Sequence, residues 1–214
     1  MFFSLDYVER ATLQDGTEVV LRLLAPEDKV LLREGFERLS PASRYARFLA
    51  PKHALTDEEL RYLCEIDQRD HFAIGAIRAD DATGLGIARF IRLPNEPRTA
   101  EAAIAVADEV QGRGLGKLLF LRLVAAAAER DVDRFRCELL GTNVGMAALL
   151  AGISPDRTVE AAGGVLTIEA ALPHVAPAQP AAEPPPDGPM YKLLRAAAAN
   201  AIEWTEAVRR FWRR

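Results

Sequence analysis

This chain is short of the residues that soft-metal and disulfide chemistry need. Its two cysteines, Cys64 and Cys137, stand alone, with neither a C-x-x-C pair nor a histidine cluster beside them. No metal site is expected from such spacing, and two small core residues in a reducing, cytoplasmic setting fit it best. Basic excess is missing too: 27 Lys and Arg face 31 Asp and Glu, a formal net charge of −4. Nucleic acid is therefore not an expected partner. No stretch approaches the ~18 apolar residues of a membrane-spanning helix. Met1-Phe2-Phe3-Ser4 is too short, and lacks the basic start, to be a secretory leader.

What is present is enough apolar material for one full core, since half of the 214 residues are hydrophobic. Residues 19–24 alternate and are rich in Val and Leu, which reads as a strand. Pro26-Glu27-Asp28 opens a helix with Pro in its first turn, and Val30, Leu31, Leu32, Phe36 and Leu39 keep helical spacing. Ser40-Pro41 breaks that helix. Thr56 and Glu59 form a capping box ahead of another, carrying Leu60, Leu63 and Ile66. Residues 71–79, 85–93 and 99–107 read as successive strands, separated by the turn chemistry of 80–84 and 94–97. A long helix at 115–130, a strand at 135–140, a helix at 143–151 and a closing strand at 165–171 complete the body.

The segment between the third of those strands and the long helix carries the most information: Gln111-Gly112-Arg113-Gly114-Leu115-Gly116-Lys117. A strand, a Gly-rich turn and a helix N-terminus make an anion trap, because glycine allows unusual φ and the free N–H groups meet the positive end of the helix dipole. The Walker pattern fails, since Leu118 stands where Ser or Thr must follow the lysine. The dinucleotide fingerprint fails on its glycine spacing.

Gln111-x-x-Gly114-x-Gly116 instead resembles the pyrophosphate loop, Q/R-x-x-G-x-G/A, of the GNAT superfamily of N-acetyltransferases. Residues 21–28 are similar to that family's first strand and helix start. The stretch from Leu39 through Ser40, Pro41, Ser43, Arg44, Tyr45, Arg47 and Phe48, then 55–60, resembles the acetyltransferase domain of bacterial Pat-type protein lysine acetyltransferases. The resemblance covers about residues 17–150. It implies an α/β (α+β) GNAT fold over 1–172: a mixed central sheet of about six to seven strands with helices on both faces. It also implies acetyl-CoA as cosubstrate and a lysine of a protein, such as an acyl-CoA synthetase, as acceptor. A small amine as acceptor, or a silent CoA-binding sensor, remain open readings.

Acetyl transfer to an ammonium near pKa 10.4 needs a carboxylate base at neutral pH. Glu101, in an otherwise apolar strand that leads to the glycine loop, is the candidate, and it matches the family's general-base position. Glu138 is the competing carboxylate, expected to pair with an arginine or to line the acceptor cleft; His71 and His53 are further candidates. The family resemblance assigns the coenzyme's pantetheine arm to the backbone of Ile104, Ala105 and Val106. It assigns the pyrophosphate to Gln111, Gly112, Arg113, Gly114, Leu115, Gly116 and Lys117. Asn143 reads as a helix N-cap, and the family also brings CoA to this position. The family's usual tyrosine acid has no counterpart in residues 146–153. Arg44, Tyr45, Arg47 and Phe48 read either as a helix with a solvated basic face or as guards of the acceptor cleft, Arg44 or Arg47 pairing with a carboxylate.

Residues 173–189 hold seven prolines among seventeen residues and read as an extended linker. In 190–214, Met190, Leu194, Ala197, Ala201, Trp204, Val208 and Phe211 keep a heptad spacing, and six Lys or Arg face two Glu. That segment is expected to dock as a helix, with a homodimer through it as one outcome and contact with a membrane surface as another.

Overall fold

The computed structural model describes residues 2–154 and 156–173. The linker and helix expected over 173–189 and 190–214, with the dimer and membrane roles read into them, lie outside the described residues apart from Pro173. Eight strands form one sheet in the order β1-β2-β3-β4-β5-β6-β8-β7. They are β1 (Val8–Thr12), β2 (Glu18–Leu23), β3 (His71–Arg78), β4 (Gly84–Leu93), β5 (Glu96–Val106), β6 (Arg134–Leu140), β7 (Arg157–Ala162) and β8 (Val165–Ala171). The helices are α1 (Lys29–Arg38), α2 (Pro41–Phe48), α3 (Asp57–Cys64), α4 (Leu115–Ala128) and α5 (Val144–Ile153).

Neighbouring strands run antiparallel except β5 and β6, which are parallel, as the α4 crossover between them requires. One face of the sheet buries the main core. There Phe72, Phe90, Ala100, Ala102 and Phe135 meet Leu119, Phe120 and Leu123 of α4, and Leu150 of α5 joins them. A smaller cluster of Phe36, Leu55 and Leu60, with Phe48 and Leu63 against it, closes the other face under α1, α2 and α3. Helices thus cover both faces. The cores form because β3, β4 and β5 alternate: odd and even positions point to opposite sides, and each side has an apolar partner layer.

The sheet has two more strands than residue patterning alone gives. Both are edges. β7 is exposed at every position, and β1 alternates only between exposed and half-buried, so neither carries the apolar alternation that marks a half-buried strand. Charged residues such as Glu160 and Arg157 on β7 suit an unpaired edge. The break at Ser40-Pro41 is real, but it restarts rather than ends helical structure. Ser40 caps α2 by accepting from Ser43 N at 3.2 Å, and Pro41 sits where its missing N–H costs nothing. The Thr56–Glu59 capping box forms as read, with both reciprocal bonds present at 2.9 and 3.2 Å.

Candidate functional site

The pairing of β5 with β6 is brief. It runs through Thr99↔Arg134, Ala100↔Phe135 and Glu101↔Arg136 and then stops, although both strands continue. Beyond that point they part, and a cleft of about 720 Å³ opens between them. Its walls are Ala102 to Val106 from β5 and Cys137 to Leu140 from β6, with Asn143, Met146 and Leu149 from the α5 side. Its size lies in the ~300–1,000 Å³ range of ligand clefts. Ser43, Ala46 and Arg47 of α2 line one side of it.

The glycine loop forms the far end. Gly112 and Gly114 sit at φ +73° and +95°, a left-handed backbone that side chains rarely adopt. Gly114 is the N-cap of α4. The first-turn N–H groups of α4, from Leu115 to Lys117, have no acceptor inside the helix, and no side chain caps them. Free donors at a helix N-terminus, with Lys117 on the cleft lining, fit a pyrophosphate by charge and by hydrogen-bonding capacity.

The loop is braced from two sides that the sequence did not reveal. Arg113 forms an ion pair with Asp15 in the β1–β2 turn, and its carbonyl accepts from Gln14 N at 3.2 Å. Asp108 is the second brace. It accepts from Ser40 N at 2.7 Å and from Ser43 Oγ at 2.5 Å, and Gln111 Nε2 reaches it at 3.3 Å. Burial works against its charge, yet the serine hydrogen bonds hold its carboxyl below the usual range. Gln111 also donates to Val106 O at 3.1 Å, so its amide secures the loop from within. Asp108→Ala is expected to weaken acetyl-CoA binding, with a stability loss of roughly 0.5–2 kcal/mol, the scale of a lost helix cap. Thermal melts with and without acetyl-CoA check this; an unchanged ligand-induced rise would show that α2 and the loop are not coupled through Asp108.

The other expected site residues fall as follows. Ile104, Ala105, Val106, Gln111, Gly112, Gly114, Gly116, Lys117 and Asn143 line the cleft, whereas Arg113 and Leu115 do not. Leu115 is fully buried in the core. Asn143 caps α5, its Oδ1 accepting from Met146 N at 3.1 Å. Glu101 is exposed at the point where β5 and β6 part, and Glu138 lines the cleft. Neither makes a side-chain hydrogen bond or ion pair with another described residue. By register, Glu101 lies opposite Ile91, and Ala103 opposite Arg89, so these residues share the face covered by α1 to α3. Cys137 is buried on the cleft wall. Burial, together with the nearby Glu101 charge, pushes its thiol up to about 12 and leaves it protonated.

The expectation that Arg44 or Arg47 pairs with a carboxylate fails among the described residues. Arg44 donates instead to the carbonyls of Leu39, His53 and Glu37 at 3.0, 3.2 and 2.7 Å and lies over the Phe36 ring. It holds α2 to the segments around it. His71 is also a poor base. Burial, then the neighbouring Arg89, lowers its pKa to about 4, and Asp67 only partly opposes them. At neutral pH its Nε2 accepts from Arg89 Nη1 at 3.0 Å, which leaves the proton on Nδ1. A lowered folded-state pKa means stability that is present above about 6.5 and lost as pH falls towards 4. Wild type is expected to lose melting temperature across that window, and His71→Gln to lose less; parallel curves would contradict the assignment.

The sequence profile of the acetyltransferase (GNAT) family matches residues 33–151, more than half of the chain. The chain belongs to the GNAT acetyltransferase family. This GNAT domain is 32% identical over 165 residues to acetyltransferase Pat of Mycolicibacterium smegmatis, covering 72% of this chain and 46% of that protein. It is 34% identical over 118 residues to acetyltransferase PA5475 of Pseudomonas aeruginosa, covering 54% of this chain and 63% of that one. It therefore spans less than two thirds of either relative. Among solved structures, the GNAT domain of S. lividans PAT aligns with a TM-score of 0.69 at 26% identity, over 77% of this chain and 97% of that one. The fold is also that of yncA from Salmonella typhimurium, solved with its cofactor acetyl-CoA (TM-score 0.58, 20% identity, 77% and 99% coverage). Acetyl-CoA is the cosubstrate of this GNAT domain, and the helix N-terminus at the glycine loop and the volume of the cleft suit it. Among the described residues no group of three or more His, Cys, Asp or Glu could hold a metal ion, and no helix is long and apolar enough to cross a membrane.

Proposed function

We propose that this domain transfers acetyl from acetyl-CoA to the ε-amine of lysines in proteins, with Glu101 as the general base. The observation that carries the reading is the opening of β5 from β6 immediately after Glu101, with the N–H-rich loop at the other end of the same cleft. A coenzyme held by its pyrophosphate at residues 112–117 and running along β5 brings its thioester towards that opening. Acetyl-CoA supplies the activated acetyl group. The chain's own residues hold it, exclude water and take a proton from the amine.

Glu101 suits the last task for three reasons. It stands on the strand that lines the coenzyme cleft, its side chain pairs with no cation among the described residues, and its charge is felt at Cys137 on the cleft wall. An unpaired carboxylate attracts an incoming ammonium and then accepts its proton, directly or through one water. Similarity to the Pat protein of M. smegmatis and to the S. lividans PAT domain supports a protein acceptor. Labelled acetyl-CoA offered with an acyl-CoA synthetase, and separately with polyamines and aminoglycosides, tests the acceptor. Label on the synthetase is expected. Label on small amines alone would overturn the protein acceptor while leaving the transferase reading in place.

A further inference from the structure

A second, smaller cavity of about 110 Å³ lies between the sheet and helices α1 to α3, and three guanidiniums and one carboxylate line it. The carboxylate is already engaged: Arg22 grips both oxygens of Asp28 at 2.6 Å, and Ala25 N donates to one of them. The other two cations, Arg47 and Arg89, have no acid partner among the described residues. Arg89 is only 4% exposed and donates to Leu63 O at 3.3 Å and to His71 Nε2 at 3.0 Å. Arg47, half-buried, donates no hydrogen bond to any described residue; the Phe48 ring lies against it, 5.1 Å from guanidinium to centroid. Burial lowers the pKa of both, and Arg47's charge adds to the lowering of Arg89, to about 10.

Most of the remaining lining is apolar, including Leu31, Phe36 and Leu63. Neighbouring cations in such surroundings destabilise the fold unless an anion joins them, and an arginine fork with free donors matches a carboxylate in a bidentate way. The position matters as much as the charge. Arg47, Leu39 and Ala105 line both this cavity and the acetyl-CoA cleft, so the two spaces adjoin at Arg47. The coenzyme's pyrophosphate has its own donors at residues 112–117, which leaves Arg47 for the other substrate.

We infer that Arg47, with Arg89 behind it, receives a carboxylate carried by the acceptor amine and so selects acidic acceptors. The inference rests on the transferase reading above and deepens it. Two sources share this chemistry: an Asp or Glu side chain beside the target lysine, and the α-carboxylate of a free amino acid.

Two matched pairs separate the sources: end-capped peptides with Glu or Gln next to one lysine, and leucine against leucinamide. The acidic member of one pair is expected to be favoured about tenfold or more in kcat/KM, the scale of one charge-assisted hydrogen bond. Which pair responds names the source. Arg47→Met is expected to erase the preference through the acceptor KM, and Arg47→Lys to restore part of it. Arg47→Met removes an unpartnered charge, so its melting temperature without ligand should hold or rise; Arg89→Met would strand Leu63 O and His71 and is the poorer probe. Equal rates within both pairs, a preference that survives Arg47→Met, or a rise confined to the acetyl-CoA KM would overturn the inference. If wild type acetylates no amine at all, the transferase reading fails instead. The carboxylate site is then read alone: glutarate should raise the melting temperature of wild type but not of Arg47→Met, and no rise in wild type overturns it.

Discussion

Replacing Glu101 by glutamine is expected to lower kcat/KM for the amine by about 10²–10⁴, the usual contribution of a positioned general base, while acetyl-CoA still binds. The substitution keeps the shape and removes only the proton acceptor. It falls on an exposed side chain that does not line the coenzyme cleft, so the fold and the loop at 112–117 are untouched. The pH dependence gives the expectation its sharper form. A lysine amine loses its proton unaided as pH approaches ~10.4, so the deficit of the variant should shrink as pH rises. Initial rates from neutral to alkaline pH measure this. A deficit constant with pH would mean that Glu101 positions the acceptor rather than deprotonating it. The same series on Glu138→Gln decides between the two carboxylates: if that variant shows the pH-dependent loss and Glu101→Gln does not, the base is on β6.

The second large effect is expected at Gly114. Its φ of +95° lies in the left-handed region, where a residue with a side chain costs about 1–2 kcal/mol and a β-branched one more. An ideal Cβ there meets the Gln14 amide at 3.5 Å, so the strain falls on the backbone rather than on packing. Gly114→Val can relieve it only by turning the peptide units that aim the N–H groups of α4 at the pyrophosphate. Losing two charge-assisted hydrogen bonds at about 1.5 kcal/mol each weakens acetyl-CoA by ~100-fold or more. Gly163 offers the control. Its φ of +58° is also left-handed and a Cβ there meets nothing within 4 Å, but it lies in the β7–β8 turn and does not line the cleft. Gly163→Val should lower the melting temperature as Gly114→Val does, yet leave the affinity measured by calorimetry intact. Equal affinities in the two variants would remove the loop from the binding site.

Which of these features the sequence disclosed follows from their physical range. The glycine loop, β3 to β5 and the Thr56 capping box are local patterns, spanning a few residues each, and each appears where its pattern lies. The edge strands β1 and β7 lack a buried face, so no alternation marks them. The Asp108 brace joins residues 65 and 68 positions apart, and nothing about Ser40, Ser43 or Asp108 alone announces the contact. Arg47 was legible as a residue of interest beside the cleft, but the expected carboxylate partner was not found among the described residues. Pairing is a three-dimensional property: only packing places Arg47 and Arg89 in one cavity while Asp28 is taken up by Arg22. The parting of β5 and β6 is likewise a property of the folded sheet, and no local pattern in either strand marks where their pairing stops.

The central claim is that one cleft holds acetyl-CoA at 112–117 and delivers its acetyl group to an amine beside Glu101. A single-turnover experiment tests it most directly: the protein is loaded with labelled acetyl-CoA, mixed with a lysine-bearing acceptor protein, and the label followed at neutral pH. Wild type should pass the label to the acceptor lysine, and Glu101→Gln should keep the labelled acetyl-CoA bound with little passed on. Bound acetyl-CoA whose label reaches no amine in wild type, or equal transfer by the two proteins, would contradict the account.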